Sequence, residues 1–431
     1  MRRRLRENAL CALLAAGGCA TMAWLGLDGF AWNDYEVEAR PAYDALTHGH
    51  LIGFLRLAPA YGGSLIERAP FALLPDLWGG GSRAVYRMAA LPSLLAAAAL
   101  GVWLVSRMRS QRRSTLARAV ALGVCVANPI TLRALELGHP EELLGGCLCV
   151  AAVLLAARSA NGRDRSLLAG ILLGVAVANK DWALVAAGPV LLALPPARRL
   201  RCLLAATATA VVVLAPLVLV SSGSFVSNTA AAAAPAASFI FKPWQLWWFF
   251  GHHSALALGP TGRPQPGYRV GPAWAGAISH PLILASAMML AAALWTRSRR
   301  AALGEQRALL ALTLALLLRC LLDTWDESYY LLPFVLALLA WELSVDTRRP
   351  PVLALAGSVL TWISFQWLQL HASADTQAVF FLAWSVPLAA WLGVRLFAAS
   401  QPTDAPDRAP TGSARAYERT VSALGKPVST S

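Results

Sequence analysis

Asp34, Glu36 and Glu38 occupy alternate positions in the stretch AWNDYEVEARP, directly after the first long apolar run of the chain. A carboxylate so placed can act as a general base, taking a proton from an attacking hydroxyl as it reacts. Asp34 is the first acid after the run and the leading candidate, with Glu36 in reserve. On a helix Asp34 and Glu38 share a face; on an extended segment all three acids do. The same residues also read as an acidic, solvated stretch beside a membrane, or as partners for Arg40. An ion pair with Arg40 is the ordinary role expected of Glu38.

Further groups suit the chemistry of an anionic substrate. Lys180, in ANKDW, can bind a phosphate as a point charge. It can equally pair with Asp181 or reach along the bilayer surface. His252 and His253, in FKPWQLWWFFGHH, can contact a phosphate or leaving group, or simply cap a helix lying in the membrane interface. The tryptophans beside Lys242 suit such a helix. His139 precedes Pro140, Glu141 and Glu142 in ELGHPEE. Proline in a first turn followed by acids at the positive dipole end is the pattern of a helix start. That reading suffices for Glu141 and Glu142 and leaves His139 open. The stretch DTWDESYY gathers Asp323, Asp326, Glu327, Tyr329 and Tyr330.

Other chemistries lack their residues. There is no phosphate-gripping Walker loop, no dinucleotide fingerprint and no G-x-S-x-G elbow, so no cofactor is expected. No spacing argues for a metal site. The seven cysteines lie in or beside apolar runs, where cysteine behaves as a small hydrophobe. Gly79, Gly80 and Gly81 read as a turn.

The elements that must position these groups follow from composition. Of 431 residues, 57% are hydrophobic and 14% charged, whereas soluble domains carry about 25% charge. Apolar segments of about 18 residues or more recur, each able to cross a hydrocarbon core of roughly 30 Å. The fold class is an all-α integral membrane protein, since a barrel would alternate rather than run apolar. The net charge of +14 fits arginine-rich cytoplasmic loops. Nucleic acid is not an expected partner, because no basic-aromatic module is present.

The runs lie near residues 10–27, 85–105, 115–132, 141–157, 166–179, 182–195, 202–220, 275–295, 303–320, 329–345, 351–370 and 377–398, about twelve transmembrane helices in all. The first, behind Arg2, Arg3, Arg4 and Arg6, resembles a signal peptide and is expected to remain as an uncleaved helix. Arginine clusters follow every second run, so one parity places all of them in the cytoplasm. The stretch 166–195 is the least regular: one long helix, or a hairpin of two helices of about 14 residues, roughly 21 Å each. Parity favours a hairpin turning at Lys180. On the opposite side fall two long extracytoplasmic loops carrying short interfacial helices, near 28–84 and 221–273, with shorter loops around His139, Lys180 and Asp326. Residues 1–400 form one polytopic domain. Residues 401–431, rich in Ala, Pro, Ser and Thr, are expected to be a disordered cytoplasmic tail.

Three segments together resemble the polytopic glycosyltransferases of the C superfamily, of the family-87 type. They are NDYEVEARPAYDALTHGH; GHPEELLGGCLCVAAVLLAARSANGRDRSLLAGILLGVAVANKDWALVAAGPVLLAL; and DTWDESYYLLPFVLALLAWE. The family's usual Lys-Pro is Lys180-Asp181 here. The resemblance implies transfer of a hexose, mannose in the first instance, from a polyprenyl-phosphate donor to an envelope glycan or glycolipid acceptor. It places the reaction at the outer face of the plasma (inner) membrane, with inversion. Carried over by position, Asp34 is the base. Lys180, His252 or His253 holds the leaving phosphate, and the acids around Asp326, with Tyr329, contact sugar or acceptor. His139 joins the substrate-binding group. A transporter of lipid-linked saccharide is the main alternative. The chain shows no repeat between its halves, and its charges sit at the outer mouths rather than at mid-membrane, as transport would favour.

Overall fold

The computed structural model describes residues 2–28, 34–160, 163–233, 241–259, 263–345 and 349–398. The tail beyond residue 400 lies outside the described residues. Helix α1 spans Arg2–Asp28. Three short helices follow a π-helical turn at Tyr35–Ala39: α2 (Arg40–Thr47), α3 (Leu51–Leu57) and α4 (Gly62–Ala72). Then come α5 (Ser82–Ser110), α6 (Thr115–Val126), α7 (Pro129–Leu137), α8 (Pro140–Ala160) and α9 (Ser166–Asn179). A 3-10 turn leads into α10 (Ala187–Ala193), followed by α11 (Pro196–Ala233). The later half holds α12 (Ala273–Ser298), α13 (Glu305–Leu322), α14 (Leu332–Ser344), α15 (Val352–Trp362), α16 (Leu368–His371) and α17 (Ala374–Ala398). The one described sheet pairs β1 (His252–His253) with β2 (Arg269–Val270), antiparallel.

The all-α membrane class stands. Seven described helical segments are long and apolar enough to cross a bilayer: 82–110, 115–137, 140–159, 196–220, 273–298, 352–371 and 374–398. The other expected runs are also helical, but shorter or more charged; α13 carries Glu305, Arg307 and Arg319. The run at 115–137 is broken where the Asn128 side chain caps Ile130 N at 2.9 Å and Pro129 opens a new helix.

The two ends of the bundle differ in chemistry. At one end, arginines tie helix ends together. Arg113 donates to Leu343 O at 3.1 Å, Arg199 to Ser298 O at 2.8 Å and Arg297 to Phe397 O at 3.1 Å. Arg109 donates to Glu7 O at 2.7 Å, and Arg107 pairs with Glu305. Asp34, His139, Lys180, Arg319 and Tyr329 sit at the opposite ends of these helices.

The segment 166–193 is a hairpin. Lys180 is extended (φ −160°, ψ 134°) and ends α9. The chain then returns: Arg201 pairs with Asp164 at 3.1 Å, Arg198 donates to Ser159 O, and Asn179, at the far end, donates to Glu141 O at 2.9 Å. Glycines allow close packing here. A Cβ on Gly170 or Gly174 would stand 2.4 Å from Cys202 O or Ala206 O of α11, so only hydrogen fits. Gly170→Val is therefore expected to destabilise the protein by about 1–3 kcal/mol or more, since backbone must yield. Gly17→Ala, where nothing lies within 4 Å, should leave a detergent melting curve unchanged.

Two sequence expectations need correction. The long loop expected from residue 221 begins later, because α11 runs on to Ala233; its last turns are alanine-rich, and alanine is the strongest helix former. Two of the tryptophans expected in an interface helix, Trp244 and Trp248, are instead buried in protein, and Trp247 is half-buried. Trp244 stacks on Phe365 with centroids 4.3 Å apart, and the Trp248 indole donates to Asp375 at 2.7 Å. Indole N–H groups seek such partners when buried.

Candidate active site

The site is assembled around one glycine. Gly138 ends α7 in the left-handed region (φ +92°), and a Cβ there would lie 2.6 Å from Tyr35 N. Glycine thus satisfies the αL conformation and also lets the segment beginning at Asp34 lie against the end of α7. Tyr35 is held against Tyr86, the rings tilted by 32° with centroids 4.4 Å apart, and Tyr86 donates to Leu135 O at 2.6 Å. Pro140 opens α8 immediately afterwards, so His139 is fixed between two helix ends.

Asp34 Oδ2 lies 2.9 Å from His139 Nε2, and His139 Nδ1 lies 2.6 Å from Glu141 Oε1. His139 is nearly enclosed, whereas the Asp34 side chain is 40% exposed. Burial alone would lower the imidazole's pKa. The Glu141 carboxylate and the hydrogen bond to Asp34 outweigh it and raise the pKa to about 9. At neutral pH the ring is an imidazolium donating from both nitrogens.

Behind His139 lies a largely buried charge cluster, with Lys180 at its more open side. Lys180 Nζ is 2.9 Å from Glu142 and 3.5 Å from Glu141. Arg319 reaches Glu142 at 3.4 Å, and Arg68 reaches Glu141 at 3.5 Å. Three cations thus meet two glutamates, leaving positive charge in excess. Aromatic rings enclose them: Lys180 lies over Tyr61 at 5.2 Å and Tyr330 at 5.7 Å, and Arg319 over Trp182 at 4.7 Å. Tyr329 stacks on His139 at 4.6 Å.

The first-loop acids divide by helical spacing. Glu36, Arg40 and Asp44 recur every fourth residue and pair along one face. Glu38, expected to take Arg40, is two residues off that face and accepts from Tyr61 OH at 2.7 Å instead. Asp34 and Glu38 do share a face, the one turned to Tyr61 and His139. Lys180 takes the α8 glutamates rather than Asp181, which is exposed. Glu141 and Glu142 open α8 as expected, but they also anchor the buried cluster.

The structure brings together Asp34, His139, Lys180 and Tyr329. It sets others apart. Glu36 is committed to Arg40. His252 and His253 are exposed on the small hairpin, His253 3.5 Å from Asp375. Asp326 is fully buried, and neither oxygen has a hydrogen-bond partner among the described residues. Burial and the Asp323 carboxylate push its pKa well above the usual range. Its loop is joined to the segment at 242 by Lys242 and Glu327, 2.9 Å apart. Arg319, Arg68 and Tyr61 were missed as site residues. An arginine inside an apolar run was the available signal for Arg319.

Fold and site together define a polytopic α-helical membrane protein with a carboxylate–imidazolium centre at one end of its bundle. The sequence model of glycosyltransferase family 87 matches residues 63–322. The chain belongs to that family and is a membrane glycosyltransferase. His139, Glu141, Lys180, His252, His253 and Arg319 lie inside the matched stretch; Asp34, Asp326 and Tyr329 lie outside it. No curated protein and no solved structure matches the chain.

Proposed function

We propose that this glycosyltransferase moves a hexose, mannose in the first instance, from a polyprenyl-phosphate donor to an envelope glycan or glycolipid, at the outer face of the plasma membrane. The observation that carries the reading is Asp34. Its carboxylate is half-exposed, tethered through one oxygen, and set beside a buried cluster with surplus positive charge. The free oxygen takes the acceptor's hydroxyl proton. The acceptor oxygen bonds to the anomeric carbon as that carbon's bond to the phosphate oxygen breaks. The electron pair leaves with the polyprenyl phosphate, and attack from the opposite face inverts the configuration. Lys180 and Arg319 offset the charge gathering on the phosphate. Tyr329, stacked on His139, lies where sugar or acceptor would meet the site, whereas the fully buried Asp326 and the histidines of the small hairpin, His252 and His253, take no part in this step.

The sidedness rests on the arginine end of the bundle facing the cytoplasm. Single cysteines at Ala60 and Trp325 should react with an impermeant maleimide on intact cells, and one at Ser110 should not. In sealed vesicles, polyprenyl-phosphate mannose supplied on the face carrying residue 60 should be consumed. Consumption only from the face carrying residue 110 would place the site on the cytoplasmic side and end this reading.

A further inference from the structure

We infer that His139, clamped by Glu141, is a positioning residue: it holds one oxygen of Asp34 so that the other faces the acceptor, and it contacts no substrate. The inference rests on the transferase reading above for its kinetic consequence, but not for its geometry. Both ring nitrogens are already engaged, Nε2 by Asp34 at 2.9 Å and Nδ1 by Glu141 at 2.6 Å. No ring nitrogen is left for a phosphate or a sugar hydroxyl.

The clamp is built to hold the ring still. Glu141 is fully buried and is itself fixed by Arg68 and Lys180, each 3.5 Å away. Tyr329 covers one face of the imidazole, and Tyr61 meets it edge-on at 5.9 Å. Among the described residues, His139 is the one side-chain hydrogen-bond partner of Asp34. Without it, a half-exposed aspartate beside a helix end has several rotamers to visit, and misplacing a reacting group by about 1 Å can cost on the order of 10²-fold in rate. During transfer the proton passes from acceptor oxygen to the free oxygen of Asp34, and the imidazolium keeps both of its protons.

The charged and titratable groups around the ring are Asp34 from the first loop, Tyr61 before α4, Arg68 through Glu141, Glu141 on α8, Lys180 after α9 and Tyr329 before α14. With the ring's pKa raised to about 9, the clamp is intact below that pH and is lost as pH rises through it. Wild-type turnover should fall on the alkaline side near pH 9.

The experiment compares wild type, His139→Gln, His139→Asn, Asp34→Asn and the Asp34→Asn/His139→Gln double variant, using polyprenyl-phosphate mannose. Each His139 variant should lower kcat by roughly 10²-fold, leave the donor KM unchanged and lose the alkaline limb. The double variant should be no slower than Asp34→Asn alone. A raised donor KM with kcat intact, or losses that multiply in the double variant, would overturn the positioning role. A second readout needs no turnover. The His139 imidazole resonance in the purified full-length protein should titrate at lower pH in Asp34→Asn than in wild type. An unshifted titration would overturn the inference whether or not transfer occurs. Absence of transfer by wild type, with the titration shifted, would sink the transferase reading alone.

Discussion

Asp34→Asn should insert, fold and bind the lipid donor like wild type, yet turn over at least about a hundredfold more slowly. The amide keeps the shape of the carboxylate and can still accept the hydrogen bond from His139 Nε2, now 2.9 Å from Asp34. It cannot take a proton from a hydroxyl. The loss should therefore fall on kcat, with donor KM unchanged. Glu36→Gln should cost far less, because Glu36 is spent on Arg40, and Glu38→Gln should be mild, since an amide oxygen can still accept from Tyr61 OH. If Asp34→Asn is near normal while Glu36→Gln is dead, the base is Glu36. If both are normal, the base lies outside this loop.

Glu142→Ala should cause the largest loss of stability of any single change in the site. Glu142 is fully buried and is the shared partner of Lys180, at 2.9 Å, and Arg319, at 3.4 Å. Removing one partner of a buried pair leaves charge without compensation, at a cost of about 3–5 kcal/mol. Here Glu141 would be left to balance the cations alone. The variant should melt well below wild type in detergent, and Glu142→Gln should fall between them, because its amide oxygen can still accept one hydrogen bond. A Glu142→Ala melting curve superimposable on wild type would mean that the cluster is hydrated or rearranges, and that its charge is not confined.

How much of this was legible in the sequence depended on the range of the interaction. Hydrophobic runs and arginine parity are local signals, and they located the helices, the two unlike ends of the bundle and the turn at Lys180. The acid after the first run, His139 and Lys180 were each visible as unusual groups at helix ends. Their convergence was not visible, because Asp34 and His139 are 105 residues apart in the chain and meet only through Gly138. Glu141 and Glu142 had a sufficient local explanation as acids of a first helical turn, and this hid their second role with Arg68, Lys180 and Arg319. The partner of Arg40 was misassigned by proximity in sequence, whereas helical spacing selects Glu36 and Asp44. The tryptophan-rich stretch read as interfacial from composition, yet Trp244 and Trp248 pack on Phe365 and bond to Asp375, contacts that only the tertiary fold creates.

The central claim is that a carboxylate at this end of the bundle drives inverting transfer from a polyprenyl-phosphate hexose. The most direct measurement follows purified protein in lipid with polyprenyl-phosphate mannose of known anomeric configuration and a panel of glycan and glycolipid acceptors. Product configuration is read by NMR, and the lipid co-product by mass spectrometry. The expected result is a glycosidic bond of opposite configuration to the donor, formed one-for-one with polyprenyl monophosphate and nearly abolished by Asp34→Asn. A product that retains the donor's configuration, or full transfer from a nucleotide sugar with no polyprenyl phosphate released, would contradict it.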